Sequence, residues 1–365
     1  MNTTAPAAVS TAQGTWLVAE RELSTKLRSK AYLVSTAILL LIALGGVIWA
    51  GIASANPSAT PVAATSSAAS TLSELGGYEI TEVDSPDAAR DLVAAGEVDA
   101  AVIDDPSSPG GLAIIADREA PQSLLMVLSV TPEVELLDPD PAAGPLRYLL
   151  GIAFGLVFMM AAMMFGMPVA TSVVEEKQTR VVEILLSTIP ARVLLAGKVV
   201  GNTILAMSQI LLLAAVGTIG LTVTGQTTVL AGIGGPVLWF AVFFFFGFIL
   251  LAAMFAAAGS MVSRQEDAGT TLTPVMYLTM IPYFLVIFFG DNPVVMTVLS
   301  YVPFSAPVGM PIRLFFNEAE WWEPLASLAI MLVTCALVIT LGAKIYENSL
   351  LKMGARVKFR EALRG

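Results

Sequence analysis

The chain reads as an α-helical polytopic membrane protein, with six transmembrane helices and a small α/β extracytoplasmic domain between the first two. Three observations predict this. Of 365 residues 56% are apolar and only 13% charged, about half the charge of a soluble domain, where roughly 25% is usual; mean hydropathy is +0.78. Second, no charged residue occurs from Ala31 to Ser73, Tyr148 to Val174, Val199 to Ser263, Ala268 to Gly290 or Pro324 to Ala343. A helix crosses about 30 Å of hydrocarbon in about 20 residues. Third, the basic residues segregate to one side of the spans so defined.

The N-terminal 30 residues form a cytoplasmic tail with an interfacial helix over Thr15–Lys30. Trp16, Ala19, Leu23 and Leu27 make its apolar stripe, and Arg21, Lys26, Arg28 and Lys30 meet lipid headgroups. The first span covers 31–53. It ends in Ala53-Ser54-Ala55, a pattern that mimics a signal-peptidase site. The run exceeds 20 residues and follows a head with Glu20 and Glu22, so it is read as an anchor.

Residues 54–146 form the extracytoplasmic domain. A low-complexity stretch from Asn56 to Ser70 reads as an extended linker. Strands follow over Tyr78–Val83, Ala100–Ile103, Gly111–Ala116 and Glu133–Leu137, with a second helix over Pro121–Val130. The first helix has Ser85 as N-cap, Pro86 in its first turn and Gly96 after its last residue. Acid pairs such as Asp104-Asp105 and Asp138-Pro139-Asp140 lack the D-x-D-x-D-G spacing of a calcium loop and read as a solvated surface.

The second span covers 148–171, and a cytoplasmic loop over 172–198 carries one amphipathic helix. In it Val182, Leu185, Leu186 and Ile189 share a face, opposite Glu176, Arg180, Glu183 and Ser187. Glu176 precedes Arg180 by one turn as a favourable pair, and Pro190 ends the helix. This helix seats the bundle in the interface or docks a cytoplasmic partner; periodicity alone allows both. Spans three and four, 199–223 and 237–262, are parted by a Gly- and Pro-rich break from Gly225 to Pro236. The fifth covers 269–289. Residues 291–323 hold Pro293, Pro303, Pro307 and Pro311, too interrupted for a span, and read as a re-entrant or interfacial helix pair. The sixth covers 325–345, before a basic tail over 346–365.

Six spans place both termini on one side, with 15 of the 19 basic residues and nine of the 29 acids, which makes that side cytoplasmic. The chain contains no histidine and one cysteine, Cys335, which excludes a Ser-His-Asp triad, a His or Cys zinc site and an intramolecular disulfide. No G-x-x-x-x-G-K-S/T run exists to cradle nucleotide phosphates. No carboxylate lies within the charge-free stretches, which disfavours an ion-coupled carrier. The polar groups at depth include Asn202, Thr203, Ser208 and Gln209 in the third span and Thr273, Thr279 and Tyr283 in the fifth. They join helices by hydrogen bonds or line a substrate path; for a path, Asn202, Gln209, Thr273, Thr279 and Tyr283 are the candidates.

The run Val174-Glu175-Glu176-Lys177-Gln178-Thr179-Arg180-Val181-Val182-Glu183-Ile184-Leu185-Leu186-Ser187, with Ala196-Gly197-Lys198, resembles the coupling segment of the ATP-binding-cassette type-2 permease family. Its sodium-efflux-permease-like branch is the most similar. Tyr301-Val302-Pro303-Phe304-Ser305-Ala306-Pro307 with Met310-Pro311-Ile312-Arg313 is similar to the family's outer re-entrant element. The Trp16–Lys30 helix and Ala89–Ile103 also resemble family features.

The resemblance implies the transmembrane subunit of an exporter in the plasma membrane, the inner membrane of a bacterium. It implies two cytoplasmic ATPase subunits per complex, a second permease copy or a paralogue, and contact with membrane lipid but not nucleic acid. The chain itself binds no cofactor; Mg-ATP sits on the partner. Glu175, Glu176, Lys177, Arg180, Glu183 and Leu186 then couple to the ATPase, and Pro303, Pro307, Pro311 and Arg313 belong to the outer element. The substrate is sodium or an organic or peptide-like molecule. The alternative from another class is a membrane-anchored sensor or scaffold whose outer α/β domain binds a ligand.

Overall fold

The computed structural model describes residues 10–55, 59–105, 108, 111–116, 124–125, 143–225, 227–350, 352 and 359–364. They fall into two compact units, 49–140 and the rest of the chain.

In the larger unit six helices are long and apolar enough to cross a membrane: Lys30–Ile52, Arg147–Gln178, Ala191–Val223, Gly234–Ser260, Gln265–Phe288 and Glu323–Leu350. By element they are α2 (Lys30–Ala55), then α5 (Ala143–Ala161) continued by a π-helical turn (Ala162–Gly166) and α6 (Met167–Gln178). α8 (Ala191–Val223), α9 (Thr227–Ser260), α10 (Ala268–Phe288) and α13 (Glu323–Leu350) complete the set. The π turn has a local cause. Pro168 brings no N–H to the Met164 carbonyl and its ring crowds that oxygen, so the ladder widens there.

Several helices outrun the bounds read from charge. α6 continues to Gln178, α8 starts at Ala191, and α13 runs to Leu350 with Tyr346, Ser349 and Leu350 buried. Counting gaps cuts each helix at its first charge, whereas Glu176, Lys177 and Lys198 sit inside helix ends because they find partners there. The break after the third span is also shorter than expected. Gly225 takes φ +73, and α9 is helical from Thr227 through Pro236.

α9 is the hub of the core. Its Phe240, Phe244 and Phe248, one turn apart, meet Phe154, Phe158 and Phe165 with ring centroids 4.7, 5.6 and 6.4 Å apart. Each such pair adds about 0.5–1.5 kcal/mol beyond area burial. Gly259 allows close approach of α6, because a Cβ there would lie 2.7 Å from the Ala170 carbonyl oxygen.

α1 (Thr11–Leu27) opens with a reciprocal Ser10–Gln13 capping box and packs along α8. Gly197 makes room for it, since a Cβ there would lie 2.4 Å from Val18. This docking divides the expected stripe: Ala19 is buried and Leu23 partly buried, while Trp16 and Leu27 are 54% and 52% exposed. α11 (Pro293–Tyr301) and α12 (Ala306–Phe315) pack on each other between α10 and α13. α14 (Phe359–Arg364) lies on α13, where the Asn348 amide donates to the Ala362 carbonyl at 2.8 Å.

The smaller unit is a four-stranded sheet in the order β2-β1-β3-β4, with β1 (Thr60–Ala64) parallel to β2 (Tyr78–Glu82) and β3 (Ala100–Asp104). β4 (Leu112–Ile115) pairs antiparallel with β3. α3 (Ser66–Leu75) contributes Ala68 and Leu72 to one core, with Val62, Ala64 and Val102. α4 (Pro86–Ala95) contributes Ala89 and Val93 to the other, with Ala63, Ala101 and Ile103. The alternation along β1 and β3 sends neighbours to opposite faces. The stretch expected to be an extended linker therefore holds a central strand and a helix. Its small residues pack: Val62, Ala63 and Ala64 are fully buried. The strand expected over 133–137 and, apart from Leu124 and Leu125, the helix over 121–130 lie outside the described residues.

Candidate functional site

The expected single helix over 175–189 is two elements. α6 carries Glu175 to Gln178 as the end of a span, Thr179 closes it by donating to the Glu175 carbonyl at 2.8 Å, and Arg180 turns the chain with φ 59. Only then does α7 (Val181–Leu186) begin. A left-handed residue with a side chain costs about 1–2 kcal/mol, so the corner is held by what flanks it. On α7 Val182 is buried and Leu185, Leu186 and Ile189 are partly buried, the face read from periodicity. Arg180, Glu183 and Ser187 are exposed, as is Ile184 at 71%.

Glu175 is exposed, whereas Glu176 and Lys177 point into the bundle, which corrects their expected place on an open docking face. Their helix is the span itself, and its inner face is already occupied by neighbours. The expected Glu176–Arg180 pair is absent. Glu176 bonds instead to Arg21 of α1 and stands 3.0 Å from Lys198 of α8. Lys198 Nζ also donates to Glu22 at 2.9 Å and to the Ser172 hydroxyl at 2.5 Å. Lys177 Nζ donates to the backbone carbonyls of Ser260 (2.7 Å) and Ser349 (2.8 Å), at the C-terminal ends of α9 and α13. Those ends carry the negative pole of the helix dipole, so a cation is favoured there. Two consecutive residues thus join the root of α7 to α1, α8, α9 and α13. Lys198, Arg21 and Glu22 were not among the expected coupling residues, because nothing in the spacing of residues 155 and 176 positions apart signals their meeting.

A polar cleft of about 560 Å³ opens beside the Arg180 corner, lined by Lys177, Gln178, Arg180, Ser263, Arg264, Gln265 and Glu266. Two further clefts run between spans. One of about 920 Å³ is walled by residues such as Met254, Met261, Val275, Leu278 and Leu341. The other, about 510 Å³, is walled by residues such as Val199, Thr203, Phe245 and Ile249.

None of the five pathway candidates lines these two clefts. Asn202, Thr273 and Thr279 donate to their own helices, at Lys198, Gly269 and Val275. The Tyr283 ring packs against Gly155. Gln209 is 3% exposed, and its amide has no hydrogen-bond partner among the described residues.

At the opposite end Pro303 lies between α11 and α12, while Pro307 and Pro311 are buried in α12. Arg313 is buried too. Its guanidinium donates to Glu323 at 2.5 and 3.2 Å, to the Ser300 hydroxyl at 2.8 Å and to the Glu318 carbonyl at 2.9 Å. Tyr301 donates to Glu323 at 3.2 Å; burial and that carboxylate hold its phenol above its ordinary range. Arg147, at the head of the second span, pairs with Glu318 and lies 4.4 Å over the Phe316 ring. In the smaller unit the Asp104 carboxylate accepts from Ser67; Asp138 and Asp140 lie outside the described residues.

A family model described as "ABC-2 family transporter protein" matches residues 30–344. The chain belongs to that family. It is 30% identical over 230 residues to uncharacterized protein YhaP of Bacillus subtilis (strain 168), covering 58% of this chain and 55% of that one. It is 27% identical over 231 residues to uncharacterized protein MJ1024 of Methanocaldococcus jannaschii, covering 59% and 55%. The chain thus spans about half the length of the curated relatives it matches.

Proposed function

We propose that this ABC-2 family chain is the permease subunit of an ATP-driven exporter, and that separate ATP-hydrolysing subunits dock on α7. Two such subunits per complex hydrolyse Mg-ATP. A second copy of the chain, or a related permease, completes the path. The end carrying α1 and α7 faces the cytoplasm with both termini, because 15 of the 19 basic residues gather there. The observation that carries the docking role is α7 itself. A six-residue helix exposes Ile184 at 71%, with Arg180 and Glu183 exposed nearby, while its root is pinned to four other helices. Closure of the ATPase pair pushes α7, and the rigid root passes that push to α1, α8, α9 and α13.

The exported substrate is an amphipathic or apolar organic molecule rather than sodium. The charge-free stretches hold no carboxylate to ligate a hard cation, and the two large clefts between spans have largely apolar walls. A photo-reactive phenylalanine analogue in place of Ile184, activated in native membranes, tests the docking role. It is expected to capture a chain that carries a G-x-x-x-x-G-K-S/T motif. Capture of lipid or of other copies alone contradicts it.

A further inference from the structure

We propose that the cleft at the Arg180 corner receives an acidic side chain of the ATP-hydrolysing partner, and that Arg264 is its second anchor. This rests on the reading of α7 as the docking helix and extends the interface to a different loop. The cleft of about 560 Å³ is walled from two directions. Gln178 and Arg180 come from the turn between α6 and α7; Ser263, Arg264, Gln265 and Glu266 come from the turn between α9 and α10. Three of its lining residues are cations, Lys177, Arg180 and Arg264, against the single carboxylate of Glu266. Lys177 is fully buried and engaged with two carbonyls, so it is not itself a contact.

Arg180 and Arg264 are the two arginines that line this cleft. Arg21 and Arg192 each have a carboxylate partner. Arg180 and Arg264 are exposed, and neither has an ion-pair partner among the described residues. Two guanidiniums on one cleft, presented by two separate turns, match one carboxylate held by two forks. The Arg180 backbone corner brings its side chain to this cleft, next to Ile184 on α7, so an apolar contact and a charged contact lie side by side. That is the composition of a docking surface with an apolar anchor and a polar rim.

The test uses the full chain in lipid nanodiscs and the ATPase subunit captured at Ile184. Arg264→Glu is expected to weaken binding of that subunit about tenfold or more, both in purely zwitterionic lipid and with added anionic lipid. Arg28→Glu, which reverses an exposed cation at the C-cap of α1 that does not line the cleft, is expected to leave binding unchanged. Arg264→Lys supplies a primary amine, and carbodiimide treatment of the complex is expected to link it to an Asp or Glu of the ATPase. Unaltered affinity in Arg264→Glu overturns the proposal, as does a cross-link confined to Glu266 of the same chain. A loss seen only with anionic lipid assigns the cleft to lipid headgroups instead. Failure of the unsubstituted chain to bind any ATPase removes the docking reading itself, a different outcome from loss of the cleft alone.

Discussion

The two ends of the helical bundle use the same residue types in opposite ways. At the α11–α12 end both guanidiniums are answered within the chain, Arg313 by Glu323 and Arg147 by Glu318. At the α7 end the buried cations are answered as well, Lys198 by Glu22 and Glu176 and Lys177 by two helix ends. Yet Arg180 and Arg264, on the surface of that end, have no ion-pair partner among the described residues. One end answers its guanidiniums and holds itself together. The other satisfies those that join helices and presents the rest. The contrast separates charges that keep the fold from charges left for a partner.

Substitutions at the two ends should therefore differ in kind. The largest effect is expected for Lys198→Met, which strands Glu22 and leaves Glu176 with Arg21 alone. Removing one partner from a buried ion pair costs about 3–5 kcal/mol. The upper part of that range is expected here, read from thermal unfolding followed by a thiol dye at buried Cys335. Arg313→Met strands one carboxylate and should cost about 3 kcal/mol in the same measurement. A negligible loss at either site would mean that its charges do not bind helices together. Next comes Arg147→Ala. Its partner Glu318 is 35% exposed, so water compensates in part, and about 1–2 kcal/mol is expected for the ion pair and the Phe316 contact together.

The surface charges of the α7 end should behave otherwise. Arg180→Gly relieves about 1–2 kcal/mol of left-handed strain and costs about 0.4–1 kcal/mol of unfolded-state entropy. The net expectation is a gain of roughly 0.5 kcal/mol with weaker ATPase association. A variant that gains stability while losing its partner marks a residue held in place for binding. Ile184→Asp is the smallest in stability, within about 0.5 kcal/mol, and its ATPase capture should fall sharply. If Ile184→Asp instead unfolds the chain, α7 is a packing element and the contrast between the ends collapses.

Much of this architecture is legible from charge spacing, because hydrocarbon excludes unpaired charge. That logic also explains where reading stops. Glu176 looks like part of an open face on a helical wheel, since periodicity cannot tell that a span continues through it or that Lys198 waits across the bundle. Arg147 and Glu323 stand just outside charge-free stretches, and spacing does not tell which residue each meets. The Asn56–Ser70 stretch reads as a linker from its Ser, Thr and Ala content, although small residues are what a tightly covered central strand needs. Asn202 and Thr279 read as path-lining groups, but each spends its donor on its own helix. What sequence conveys well is the cost of exposing charge to lipid; what it conveys poorly is which distant residue offsets that cost.

The central claim, that the α7 end is built for an ATP-hydrolysing partner and the α11–α12 end is not, meets its most direct test in hydrogen exchange. Deuterium uptake of the chain in nanodiscs would be compared with and without the ATPase subunits, in the absence of nucleotide. Slower exchange over 180–188 and 263–267, with 293–316 unchanged, is the predicted result. Protection over 293–316 with none over 180–188 would contradict it.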